Sequence, residues 1–302
     1  MDATSPTVIP NNAADPAPAQ RGDAALSALW AELDQFDDAL HDLLMQRASV
    51  VARVAAAGAK GRVALRPGRE ASIIRRLLAR HTGPLPRQAI TRIWRELLAA
   101  TAGMQGDHTV AVCESDPATH ALTQLAREHF GALAPLRPHR TPSQALADLS
   151  SGAAAVAVLP MPTEAEPARD AWWTALMRRQ DPDTRIRIVA RLPFWSARPD
   201  GAPRSEALVA CAITPDPSGD DRALLGIELP QETSRARLTG ALVNAGFHPE
   251  SIVLRRDPGA EAALALVEVE GYVADDDPRL AALASATDHP PMVLGNYAVP
   301  VV

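Results

Sequence analysis

Leu26, Leu29, Leu33, Phe36, Leu40, Leu43, Leu44, Val50, Val51 and Val54 keep a helical spacing through the first third of the chain. The spacing predicts one amphipathic helix of about eight turns. A helix of that length is longer than a small domain is wide, so two short following helices cannot cover its apolar stripe. A second copy of the chain is expected to cover the rest, which makes the protein an obligate homodimer. Two more helical patterns follow, RPGREASIIRRL and ITRIWRELLAATAGMQ. They are separated by GPLPR at 83–87, and the second is broken at 103–108. These boundaries define an all-α, three-helix domain over residues 23–107.

The chain has 302 residues, 47% of them hydrophobic, which is enough for two or three small cores. Its net charge is −6, and its arginines are interleaved with Asp and Glu. No basic stripe argues for nucleic acid or an anionic membrane, so a small-molecule partner is expected. Residues 1–22 have neither a basic start nor an apolar core, so they read as a disordered tail rather than a signal or a membrane span. Cys113 and Cys211 sit in apolar, strand-like runs, as expected of buried structural thiols in a cytoplasmic protein.

Beyond residue 107 strands and helices alternate. TVAVCE, a helix at 116–130, a proline-bearing loop, a helix at 141–151, AAVAVLP, a helix at 168–179 and strands at 185–195 and 206–214 argue for a small α/β domain over 108–216. Its sheet is expected to be largely parallel. Adjacent Trp172 and Trp173 cannot share a helix face, so one is expected in the core and the other at an interface or exposed. Residues 217–302 read βαββαβ, a ferredoxin-like layer. His120, His129 and His139 show no ligand spacing, so no metal is expected.

The order of these pieces carries a family resemblance. A long helix with Leu-Leu-x-x-Arg, then Arg-Pro-x-Arg-Glu, then Ile-x-x-Ile-(aromatic)-x-x-Leu-x-x-x-(Ser/Thr)-x-x-x-Gln resembles the all-helical chorismate mutase domain of bifunctional chorismate mutase/prephenate dehydratases, over roughly residues 24–106. VEVEGYVADDDPRLAAL with VLGNYAVP resembles the end of their ACT domain, and SQALADLSSGAAAVAVLPMP the first lobe of their dehydratase domain. The resemblance implies an intertwined dimer, chorismate and prephenate as ligands, no cofactor, and an aromatic amino acid as effector of the ACT-like part. About 100 residues separate the helical and ACT-like parts, too few for two substrate-binding lobes. The family's Thr-Arg-Phe signature falls by position on Ser205-Glu206-Ala207, and its Gly-rich opening is replaced by Cys113-Glu114-Ser115-Asp116. Dehydratase chemistry is therefore not expected.

Rearranging chorismate to prephenate is an intramolecular electron shift, so the site need only hold a dianion in its compact conformer and stabilise charge on the breaking ether oxygen. The resemblance assigns Arg47 and Arg69 to the substrate carboxylates, Glu70 to the ring hydroxyl, and Thr101 with Gln105 to the third helix face, Gln105 donating to the ether oxygen. Each residue also has a plainer reading. Arg47 could snorkel or pair with Asp38 or Asp42, Glu70 could be a first-turn helix acid, and Thr101 and Gln105 could cap a helix end. Two family cations are replaced, by Trp30 and Gly58. Lys60 is a substitute for the second only if the helix path changes, because two residues turn a helix by about 200°. The expectation is a chorismate mutase with reduced activity, with a non-catalytic regulator of the aromatic pathway as its rival.

Overall fold

The computed structural model describes residues 18–57 and 65–301, apart from 115, 117, 179–180, 182–183, 196–197, 199–200, 203, 285–286 and 288, and of 18–22 the backbone alone. The chain divides into two units, one ending at Ala57 and the other beginning at Gly58.

The first unit contains the helix α1, Pro18–Ala56. No Gly or Pro interrupts the sequence from Asp23 to Ala57, and Ala and Leu, both good helix formers, dominate. The helix begins at Pro18, inside the segment expected as a tail. Its apolar residues Leu26, Leu29, Leu33, Phe36, Leu40 and Leu43 are each at least half exposed in the single chain. Their alternating spacing of three and four continues through Arg47 to Val50 and Val54. This is a heptad-like apolar stripe with one arginine set in it.

The second unit opens with α2 (Pro67–Arg80) and α3 (Arg87–Gly103). Pro67 starts α2 where its missing N–H costs nothing, and Ala71, Ile74 and Leu78 form its buried stripe. The α2 N-terminus is capped from far along the chain: Asp216 accepts a hydrogen bond from the Arg69 N–H at 3.1 Å. Gly68 is required here, because a Cβ at this position would lie 2.0 Å from the Asp216 carbonyl oxygen. Arg75 donates to the carbonyls of Asp220 (2.9 Å) and Val299 (2.6 Å). Glu96 on α3 accepts the Ala132 N–H. Contacts of this kind cross the expected boundary at 107, so α2 and α3 are built into the same unit as the sheet.

The strands are β1 (Val110–Cys113), β2 (Leu136–His139), β3 (Val156–Pro160), β4 (Arg187–Leu192), β5 (Ala207–Cys211), β6 (Asp221–Pro230), β7 (Pro249–Arg255), β8 (Ala262–Glu270) and β9 (Met292–Ala298). They form one nine-stranded sheet in the order β2-β1-β3-β5-β4-β9-β6-β8-β7. The first part is mixed rather than largely parallel: β1 pairs parallel with β2 and β3, whereas β5 runs antiparallel to both β3 and β4. Strand β2 lies within the stretch expected as a proline-bearing loop, and as an edge strand it tolerates Pro138.

The helices are α4 (Ala121–Phe130), α5 (Pro142–Ser151), the single turn α6 (Trp173–Leu176), α7 (Arg235–Asn244) and α8 (Pro278–Ala284). The helix expected over 168–179 is thus four residues long. Trp172, which precedes this turn, and Trp173, which begins it, are both buried, contrary to the expectation of one in the core and the other at an interface or exposed. With so little helix there is no helical face to divide them, and their indole N–H groups donate to the Pro160 carbonyl (3.0 Å) and the Glu166 carboxylate (2.9 Å).

The last part has the expected order β6-α7-β7-β8-α8-β9, with β6 antiparallel to β8 and β9, and β7 antiparallel to β8. It is continuous with the first part through β4 and β9, where Ile188 pairs with Gly295. Gly295 has φ +152°, and a Cβ there would sit 2.1 Å from the Ile188 carbonyl oxygen, so only glycine permits the joint. The expected boundary at 216/217 is therefore a connection within one sheet. Cys113 and Cys211 are fully buried, as expected. Among the described residues no helix is long and apolar enough to cross a membrane.

Candidate active site

Arg47 lies in the α1 seam and is half-buried on that helix, while its apolar seam neighbours are exposed. Trp30, at the position of a family cation, is exposed. Gly58 and Lys60 lie outside the described residues. Arg69 and Glu70 occupy the first turn of α2, where a carboxylate is favoured by the helix dipole. The Arg69 side chain is exposed.

Glu70 turns inward. Its Oε2 accepts a hydrogen bond from Arg95 Nη1 at 3.0 Å, with the two side chains only 13% and 6% exposed. Burial raises the Glu70 pKa, opposed by the attraction of Arg95. Burial likewise pushes Arg95 down to about 10, opposed by Glu70. In both groups desolvation outweighs the attraction, as physical reasoning expects of a buried pair. Arg95 remains charged at neutral pH, and its guanidinium lies 4.5 Å from the centre of the Phe194 ring.

Thr101 lies in the last turn of α3, whereas Gln105 falls two residues past its end rather than on the helix face expected, and both make local hydrogen bonds. The Thr101 hydroxyl donates to the Leu97 and Leu98 carbonyls at 2.9 and 3.0 Å, and the Gln105 amide donates to the Thr101 carbonyl at 3.0 Å. In the single chain Gln105 thus satisfies a carbonyl at the end of the helix, the plainer of its two readings.

Sequence reasoning missed Arg95. The signal was present: buried Thr91, Arg95, Leu98 and Ala102 follow i, i+4, i+7, i+11 on α3, so an arginine falls in the middle of the buried stripe. A cation there demands a carboxylate partner, and Glu70 supplies it.

Residues 29–106 match the family Chorismate mutase type II, so the chain carries a chorismate mutase type II domain at its N-terminus. Two curated relatives are bifunctional chorismate mutase/prephenate dehydratases. The protein of Stutzerimonas stutzeri is 28% identical over 149 residues, 47% of this chain and 40% of its own length. That of Pseudomonas aeruginosa is 27% identical over 150 residues, with the same coverage. The matched part thus spans less than half the length of these relatives. Among solved structures, a prephenate dehydratase from Streptococcus mutans superposes with a TM-score of 0.48 at 17% identity, covering 65% of this chain and 100% of that one. A protein described as GqqA, a quorum-quenching acylase, gives 0.47 at 17% identity, covering 64% and 96%.

Proposed function

We propose that the protein is a chorismate mutase that works as a dimer of two chains joined along α1. The observation that carries this reading is the type II chorismate mutase match over residues 29–106, which contains Arg47, Arg69, Glu70, Thr101 and Gln105 in family order. Arg47 and Arg69 would clamp the two carboxylates of the substrate through charge-assisted hydrogen bonds. Gln105, turned away from the Thr101 carbonyl, would donate to the ether oxygen as its bond breaks. Neither a nucleophile nor a cofactor takes part. With Trp30 and Gly58 at two cation positions the rate would be low, because one lost preorganised donor costs about 3–4 kcal/mol in the transition state. The exposed apolar seam supports the dimer, since a single chain leaves it facing water.

The C-terminal β6–β9 layer, with its βαββαβ order and antiparallel pairing, is read as ferredoxin-like and ACT-like, kept for assembly or for response to an aromatic amino acid. Turnover of prephenate is not part of the reading, because the Thr-Arg-Phe signature is absent from its position and residues 108–216 are too few for a second lobe.

A second reading, a non-catalytic regulator of the same pathway, is favoured by Glu70. Its carboxylate, the family partner of the ring hydroxyl, is held by Arg95. Purified protein mixed with chorismate and followed by the loss of chorismate absorbance separates the two readings. Turnover abolished by Arg47→Ala supports the mutase, and no turnover above the uncatalysed rate supports the regulator.

A further inference from the structure

The nine-stranded sheet has two edges, and they are closed by different means. Strand β2, at one edge, is four residues long and carries Pro138. Strand β7, at the other, is seven residues long, and its proline, Pro249, is its first residue. A long edge strand with no internal proline presents N–H and C=O groups that a strand of another chain can take.

Two of these groups on β7 are occupied by side chains. The Ile252 carbonyl accepts a hydrogen bond from Arg235 Nη1, and the Leu254 N–H donates to Glu164 Oε1 at 3.0 Å. Arg235 Nη2 and Glu164 Oε1 are themselves an ion pair. The ion pair thus stands where the backbone of an added strand would bond. Its halves come from separate elements: Arg235 is the first residue of α7, and Glu164 lies in the connection after β3. Glu166 pins that connection beside β7. Its carbonyl accepts from Arg255 Nη1 at 2.9 Å, and its carboxylate accepts from the Thr163 N–H at 3.2 Å and the Trp173 indole at 2.9 Å. The Leu254 N–H and the Arg235 guanidinium hold the Glu164 carboxyl below the ordinary range, so the pair is charged at neutral pH.

The strand behind this pair is complementary to a copy of itself. Glu250 stands near one end, Arg255 and Arg256 stand at and just past the other, and Ile252, Val253 and Leu254 lie between. Two β7 strands running antiparallel about a two-fold axis would set acid against base at both ends and apolar against apolar in the middle.

We propose that the Glu164–Arg235 pair is an autoinhibitory plug on β7, which keeps two copies of the chain from pairing there edge to edge. Both side chains are about half exposed, and an ion pair so placed adds little to the stability of the fold, so it can be removed without unfolding the sheet.

The test is sedimentation velocity of the full chain. Glu164→Ala with Arg235→Ala frees both backbone groups, and the sedimenting mass should be at least about twice that of the wild type at the same concentration, rising further with concentration. Ile252→Pro added to this double variant removes the N–H on the same side as the Ile252 carbonyl, a loss that an edge strand tolerates, and should restore the wild-type mass. Should the double variant fail to fold, Glu164→Ala alone carries the same test. A folded unplugged variant with the wild-type mass up to about 100 μM overturns the proposal. So does an enlarged mass that Ile252→Pro leaves in place, because the chains then join elsewhere. A wild type whose mass falls with Ile252→Pro alone also overturns it, because β7 is then paired with the plug in place.

Discussion

Arg95→Met places a side chain of similar length in the α3 stripe and leaves Glu70 buried without its guanidinium. With both side chains less than 15% exposed, removing one partner of the pair uncompensates a buried charge, which costs about 3–5 kcal/mol. Loss of the contact with the Phe194 ring adds up to about 2 kcal/mol at a desolvated site. Urea unfolding at pH 7 should therefore show a fall of about 3–7 kcal/mol, read as a lower midpoint with an unchanged slope. The sign with pH follows from Glu70. Burial raises its pKa in the fold, so the fold favours the neutral acid, and ionisation costs stability as pH rises above the ordinary glutamate value of about 4.3. Without Arg95 the opposing attraction is lost and this cost grows. The deficit of the variant should thus be full at pH 7–8 and shrink toward pH 4.5, where Glu70 protonates. Arg95→Met with Glu70→Gln should recover more than half of it. A deficit below about 1 kcal/mol, or one constant from pH 4.5 to 8, refutes the view that a buried charge pair ties α2 to α3.

Asp216→Ala removes the cap on the Arg69 N–H, and the urea midpoint should fall by an amount equivalent to about 1 kcal/mol, whereas an unchanged midpoint means that water replaces the carboxylate without loss. Cys113 and Cys211 are buried, with pKa values pushed up to about 11 and about 12, so a disulfide reagent at pH 8 should titrate no thiol in the native protein and both after denaturation. The wild-type chain should sediment as a dimer at micromolar concentration, and Phe36→Asp, which sets a charge in the exposed seam of α1, should lose that dimer. A monomeric wild type would remove the basis for reading the seam as an interface.

The helix periods were legible because each amphipathic face repeats on itself. The stripe from Leu26 to Val54, the Ala71-Ile74-Leu78 face and the βαββαβ order of the last part all depend on local spacing. Contacts between distant residues were not legible. Nothing near Arg69 announces that its N–H is capped by Asp216, 147 positions later. Nothing near Gly295 announces that its missing side chain lets β9 join β4 and fuse two expected domains into one sheet. Strand β2 was hidden because Pro138 is a breaker everywhere except at a sheet edge. The candidate site was legible as a set of residue types in order. Which of them face a ligand was not, because Arg95, the residue that takes Glu70, belongs to a different helix and fills an unspecified position of the family pattern there.

The most direct measurement is the rate of chorismate loss with purified full-length protein, wild type beside Arg47→Ala. Arg47 interrupts the α1 seam, and removing a bidentate carboxylate clamp should lower kcat/KM at least about a hundredfold, near 3 kcal/mol, with the helical content and melting profile retained. A wild type that turns over chorismate and an Arg47→Ala variant that folds but scarcely does so is the predicted result. Equal turnover by the two folded proteins, or none by the wild type, contradicts it.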